Sequence, residues 1–208
     1  MPSRADARLL LATRSPDKAR EIRDILAPLT RASIVTLDDV GIAPADAEDD
    51  IEVYDTFLAN AHAKAEYFLK QSNLPTLADD SGINVDALGG RPGVRSRRFA
   101  DAAELRGTAL DHANNERLLR ELHDTPREQR TAHYTCAAVL HTPDGHRFAA
   151  VGTCSGFILS EPRGHHGFGY DPLFLDPASG RSFGELEPSE KQRKSHRARA
   201  FRALASCL

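Results

Sequence analysis

Residues 7–37 read "ARLLLATRSPDKAREIRDILAPLTRASIVTL", and their pattern sets the architecture. "ARLLLAT" is a short apolar run suited to a buried strand. Ser15 is placed to cap a helix and Pro16 to start its first turn. Ile22, Leu26 and Leu29 recur at helical spacing and predict the buried stripe. "ASIVTL" then predicts a second strand. Strand, helix, strand is the opening of a parallel α/β unit.

Working outward, "DAEDD", Asp46 to Asp50, reads as a solvated acidic loop. "TFLANAHAKAEYFLKQ" predicts a helix burying Phe57, Leu58, Ala61, Ala65, Phe68 and Leu69. "PTLAD" predicts a buried strand ending at two aspartates, and "GGRPG" a loop. A further helix is expected from about Ala103 to His123, with Leu105, Leu110, Leu118, Leu119 and Leu122 available for burial. Two β-like runs flank Pro143-Asp144-Gly145, the composition of a hairpin turn. "RGHHGFGYDPLFL" reads as a glycine- and aromatic-rich loop feeding a short strand. Ala198, Phe201, Leu204, Ala205 and Leu208 predict an amphipathic terminal helix. The expected class is α/β: an elongated mixed sheet flanked by helices, with two lobes around a central cleft.

The 208 residues are 40% hydrophobic and 27% charged, enough for one domain with a sizeable core. A net charge of −3 argues against a nucleic-acid partner. The apolar run Leu9–Ala12 is too short for a signal peptide or membrane span, so a cytoplasmic protein with no membrane partner is expected. Cys136, Cys154 and Cys207 fit no zinc or redox spacing and read as reduced thiols.

Four clusters carry possible chemistry. "TRSPDK", Thr13 to Lys18, sits where a strand feeds a helix, and backbone N–H groups there favour anions. Arg14 and Lys18 add positive charge. The acidic set Glu52, Asp79, Asp80 and Asp86 offers hard oxygens suited to Mg²⁺. Neighbouring strand residues face opposite ways, so Asp79 and Asp80 would not both ligate one ion. "GFGYDP" places Phe168 or Tyr170 to stack on a base and Asp171 to accept from a ring N–H. "EKQRKSHR" spaces Lys191, Lys194 and Arg197 to share a helical face if the segment is helical. Each cluster alone also fits an ordinary role: a capped helix, an Asp-rich turn, a packed aromatic loop, a solvated basic face. Together they are the equipment a nucleoside triphosphate needs.

The blocks "LADDSGINVDALGGRPGVRSRRFA", "TFLANAHAKA", "GFGYDPLF" and "EKQRKSHR" resemble the inosine triphosphate pyrophosphatase (Ham1-like) family, in its bacterial dITP/XTP branch. The resemblance runs nearly end to end and implies one ITPase-like domain over 1–208, forming a homodimer. It implies Mg²⁺-dependent hydrolysis of ITP, dITP and XTP to the monophosphate and pyrophosphate, cleansing the nucleotide pool. By resemblance Thr13, Arg14, Ser15, Pro16, Asp17 and Lys18 hold the triphosphate, and Ser81 touches substrate. Asp80 is the proton acceptor and a metal ligand, with Glu52 as the second ligand and Asp50 or Glu48 as the alternatives to it. Phe168, Gly169, Tyr170, Asp171 and Lys191 hold the nucleotide, with His196 and Arg197 at the base. The family often has Thr-Gly-Asn at Thr13-Arg14-Ser15 and an acid at Ala59. Two alternatives stay open: a Maf-like pyrophosphatase for other nucleotides, and a nucleotide-binding protein with weakened catalysis.

Overall fold

The computed structural model describes residues 7–207. Seven strands form one mixed sheet in the order β2-β1-β3-β4-β5-β6-β7, flanked by helices. β1 (Arg8–Leu11) pairs in parallel with β2 (Ser33–Thr36) and with β3 (Thr76–Val85). This is the expected opening unit, closed by α1 (Pro16–Leu26). Ser15 caps α1 by accepting from the Lys18 amide, and Pro16 occupies the first turn. Ile22 and Leu26 are buried as the spacing predicts, but Leu29 is exposed. The helix ends at Leu26, so Leu29 no longer follows the helical stripe. On α2 (Phe57–Ser72), Ala61, Ala65 and Phe68 are buried while Leu58, in the first turn, faces solvent.

β4 (Thr131–His141) and β5 (Arg147–Ile158) are neighbours in the sheet joined through the Pro143-Asp144-Gly145 turn. Gly145 takes φ +92° there, which a side chain would resist. β6 (Phe174–Asp176) pairs antiparallel with β5 and with β7 (Arg181–Ser182). α3 (Gly107–Glu121) buries Leu110 and Leu118, with Leu122 just past its end. The terminal segment is two helices rather than one: α4 (Pro188–Lys194) and α5 (His196–Leu204), separated at an extended Ser195. Leu208 lies outside the described residues.

The chain falls into two compact units. One holds the described residues through Asp80, with Cys136–Gly152 and the segment from His196; the other holds Ser81–Thr135 and Thr153–Ser195. The first unit packs both faces of its strands. Leu9, Leu11 and Leu77 meet Ile22 and Leu26 of α1 and Phe201 of α5 on one face. Leu10, Ala12 and Ala78 meet Ala61, Ala65 and Phe68 of α2 on the other. Each large side chain buried this way contributes about 1.5–3 kcal/mol. Gly152 in β5 lets α5 approach, since a Cβ there would strike the His196 carbonyl and the Ala200 amide. The second unit has its own core of Ile83, Val85, Leu118, Tyr134, Phe174 and Phe183. Among the described residues no helix is long and apolar enough to cross a membrane. All three cysteines are free thiols, as expected.

Candidate active site

In the first unit the alternation of β3 decides where two adjacent acids go. Leu77 and Asp79 share the face covered by α1 and α5; Ala78 and Asp80 share the face covered by α2. β3 does not stop at the aspartates but runs on to Val85. Both carboxylates are therefore carried inside regular structure, at 1% and 6% exposure.

Asp79 is held by cations. Lys18 Nζ lies 3.3 Å and Arg197 Nε 3.5 Å from its Oδ2. Arg197 Nη1 also pairs with Glu21 at 2.5 Å. Burial works to raise the Asp79 pKa, but Lys18, Arg197 and Lys64 outweigh it and hold the carboxyl well below the usual range. Glu21 and Asp79 in turn raise the Arg197 pKa against its own burial. Asp79 thus favours its anionic form.

Asp80 sits differently. Asn60 Nδ2 donates to its Oδ2 at 2.9 Å. Burial pushes its pKa up, Lys18 pulls it back, and Glu52 pushes it up again, for a net rise. Two neighbouring carboxylates with pKa values driven apart are the mark of divided acid–base roles. Glu52 pairs with Lys64, whose Nζ also donates to the Asp79 carbonyl at 2.8 Å. Burial would raise the Glu52 pKa, but Lys64 and Lys18 bring it below its ordinary value.

Glu21, Glu52, Asp79 and Asp80 thus gather with Lys18, Lys64 and Arg197. The carboxylates of Glu52 and Asp80 are hard oxygen donors, the kind a divalent cation takes. No group of three or more His, Cys, Asp or Glu side chains among the described residues is arranged to hold a metal. A small divalent cation here would take one or two of these carboxylates and complete its shell with phosphates and water.

The anion loop keeps part of its expected equipment. Ser15 and Lys18 stand at the start of α1, and Thr13 Oγ1 accepts from the Ser15 amide at 3.2 Å. Arg14 is engaged elsewhere. Its Nε and Nη2 hold Glu48 at 3.0 and 2.7 Å, and its Nη1 donates to the Ile42 carbonyl at 2.8 Å. Glu48 is thereby partly drawn out of solvent, while Asp46, Asp49 and Asp50 stay exposed as expected, in a short 3-10 turn. The expected basic face of Lys191, Lys194 and Arg197 does not form, because the break at Ser195 separates them. Lys191 pairs with Asp171 and Lys194 with Asp176, while Arg197 takes Asp79 and Glu21.

In the second unit the Gly167–Pro172 loop is fixed by Asp171. Its Oδ2 accepts from the Phe168 amide at 2.9 Å and from Lys191 Nζ at 2.5 Å. Gly167 has φ +76°, and a Cβ there would collide with that carboxylate. Tyr170 is buried and donates its hydroxyl to the Ser96 carbonyl at 2.7 Å. Burial drives its pKa up. Of the two aromatic candidates, Phe168 is the one left partly exposed, with Lys191 Nζ 4.9 Å from its ring centre. Asp171 is committed to building the loop. Ser81 follows Asp80 on β3 and is half-buried; His196 opens α5, buried.

Sequence reading alone did not single out Asn60, Lys64 or Glu21. Asn60 and Lys64 are four apart on α2, so they share a side, beside the buried Ala61 and Ala65. Polar residues at helical spacing next to an apolar stripe were the available signal. Glu21 stands three residues from Lys18 on α1.

Residues 9–207 match the model described as "Ham1 family". A dITP/XTP pyrophosphatase of Thermus thermophilus is 44% identical over 197 residues, covering 95% of this chain and 89% of the relative. A dITP/XTP pyrophosphatase of Rhodopseudomonas palustris is 42% identical, covering 100% and 99%. The structure of a HAM1 protein from Coxiella burnetii is similar with a TM-score of 0.82 at 31% identity, covering 97% of this chain and 98% of that one. A nucleoside-triphosphatase / dITP/XTP pyrophosphatase from Mycobacterium abscessus gives 0.72 at 37%, with the same coverage. By this match and the buried acid–base cluster that accompanies it, the chain belongs to the Ham1 family.

Proposed function

We infer that this chain hydrolyses non-canonical purine nucleoside triphosphates, dITP and XTP among them, to the monophosphate and pyrophosphate. The observation that carries the chemistry is the division of Asp79 from Asp80: one favoured as an anion by Lys18 and Arg197, the other poised to take a proton. The names of the relatives carry the substrate class.

Asp80 accepts a proton from water as that water attacks the α-phosphorus. The bond from the α-phosphorus to the bridging oxygen breaks, and pyrophosphate leaves with the electron pair. A carboxylate with a raised pKa is the stronger base for this step. Asn60 fixes the carboxylate's orientation by its hydrogen bond. Lys18, at the start of α1, balances charge on the phosphates, assisted by the backbone N–H groups of that helix end. Glu52 and Asp80 would hold Mg²⁺, which when bound neutralises phosphate charge and favours displacement at phosphorus.

Specificity for a deaminated purine is a hydrogen-bond problem. Hypoxanthine presents an O6 acceptor where adenine presents a donor. Donors at O6 are left unpaired by adenine, at a cost of about 1–3 kcal/mol each. His196 and Arg197 are the proposed readers. Mg²⁺ as cofactor and a homodimer as the assembly complete the reading, both supported by the family resemblance, with the cytoplasm as compartment, which rests on the shortness of the apolar run Leu9–Ala12. The acidic net charge supports free nucleotide over nucleic acid.

The test is a panel of triphosphates with Mg²⁺, scored by product. Monophosphate plus pyrophosphate from dITP and XTP, with ATP and GTP turned over far more slowly, is expected. Diphosphate plus orthophosphate would refute the reaction type, and equal use of ATP the substrate class.

A further inference from the structure

In the second unit Phe168 is flanked by two glycines in the left-handed region, Gly167 at φ +76° and Gly169 at φ +63°. Backbone on either side of the ring is therefore loosely constrained by its own sequence, and contacts must set the ring's attitude. One side of the loop is tied by Asp171, whose Oδ2 accepts from the Phe168 amide at 2.9 Å. The other side is tied from α3. Asp111 Oδ2 accepts from the Gly169 amide at 2.8 Å, and Asn115 Nδ2 donates to the Gly169 carbonyl at 3.0 Å. Asp111 and Asn115 are four apart on α3 and share a side, so one helical turn grips both polar groups of one loop residue.

The grip costs another bond. Asn115 Oδ1 is buried with no hydrogen-bond partner among the described residues, whereas buried acceptors are normally paired. Turning the amide over would set that oxygen against the Gly169 carbonyl. The neighbouring Asn114 has a different task. Its Oδ1 accepts from the Ala100 amide at 2.8 Å, and its Nδ2 donates to the Arg97 carbonyl at 3.1 Å. Adjacent asparagines thus serve separate segments, and Asn115 is the one on the Phe168 loop.

We propose that Asp111 and Asn115 are positioning residues for nucleotide binding. They fix Gly169 from both sides, so that the Phe168 ring stands ready to stack on the purine base. This role rests on Phe168 being the stacking ring of the proposed reaction. Setting the ring beforehand removes an ordering cost from binding, so the effect falls on KM more than on kcat.

Two nearly isosteric variants carry the test. Asn115→Asp swaps the donor for an acceptor facing the Gly169 carbonyl. It should raise KM for dITP by about tenfold while kcat changes less than about twofold. Asp111→Asn keeps an acceptor for the Gly169 amide and should stay within about twofold of wild type in both constants. Asn114→Ala should lower the urea midpoint without moving KM, which separates positioning from a general loosening of α3. The chain has no tryptophan, so Phe168→Trp reports on the ring itself. Binding of dIMP should quench that fluorescence. Adding Asn115→Asp should lower its anisotropy without nucleotide and weaken dIMP binding by about tenfold. A Phe168→Trp protein blind to dIMP would sink the stacking reading and this role with it. A responsive one whose anisotropy and dIMP affinity survive Asn115→Asp would overturn the role of α3 alone. So would a kcat that falls as far as KM rises in Asn115→Asp, or an equal rise of KM in Asn114→Ala.

Discussion

Asn60 donates its side-chain amide to Asp80 and, with the same amide, clips the backbone of Tyr54 through both N–H and C=O. One buried residue thus ties the proposed base to the segment that follows Glu52. Asn60→Ala should lower kcat by about 10–100-fold and cost about 1–3 kcal/mol of stability, since it orphans buried partners. Steady-state kinetics and a urea melt on the same sample would check both effects. Unchanged kcat would remove Asn60 from the positioning role.

Asp79 is expected to matter for the fold first. Asp79→Asn keeps the shape but leaves Lys18 and the buried Arg197 without their shared anion. Breaking a buried pair from one side costs about 3–5 kcal/mol. The urea midpoint should fall accordingly, and an unchanged midpoint would show the cluster to be screened by solvent.

The His141 ring gives a pH signature. It is fully buried, within 2.7 Å of His62 and 2.8 Å of Arg147. Burial, then Arg147 and His62, lower its pKa to about 4 from an ordinary 6.5. The unfolded chain therefore binds this proton more readily than the folded one. The contribution is fully present above pH 6.5 and is lost as pH falls towards 4. His141→Phe should flatten the stability profile across that window; a slope identical to wild type would exclude His141 as its source.

Gly167→Ala probes the second unit. The left-handed φ and the collision with Asp171 should cost about 1–3 kcal/mol and loosen the Phe168 loop. The expected result is a raised KM for dITP with kcat less affected. A wild-type KM would separate this loop from substrate binding.

How much of this was legible beforehand differs residue by residue. The cap at Ser15 and the proline after it marked the start of α1, because those signals are local. Leu29 was misplaced because periodicity does not reveal where a helix stops. β3 looked as if it ended at Asp79-Asp80, since two adjacent acids resemble a turn. They are tolerated in the strand because their partners arrive from remote sequence: Arg197 lies 118 residues from Asp79. No local pattern announces such a pair. The break at Ser195 carries no glycine or proline, so one terminal helix was the natural expectation. Arg14 looked like a phosphate ligand by position, and only its contact with Glu48 reveals the other task.

Single-turnover hydrolysis of dITP by Asp80→Asn is the most direct trial of the chemistry. The amide is nearly isosteric but accepts no proton. Turnover should fall by about 10²–10⁴-fold while the urea midpoint holds or rises, because a buried carboxyl with a raised pKa is removed. Pyrophosphate release near the wild-type rate from that folded variant would contradict the assignment of Asp80 as the base.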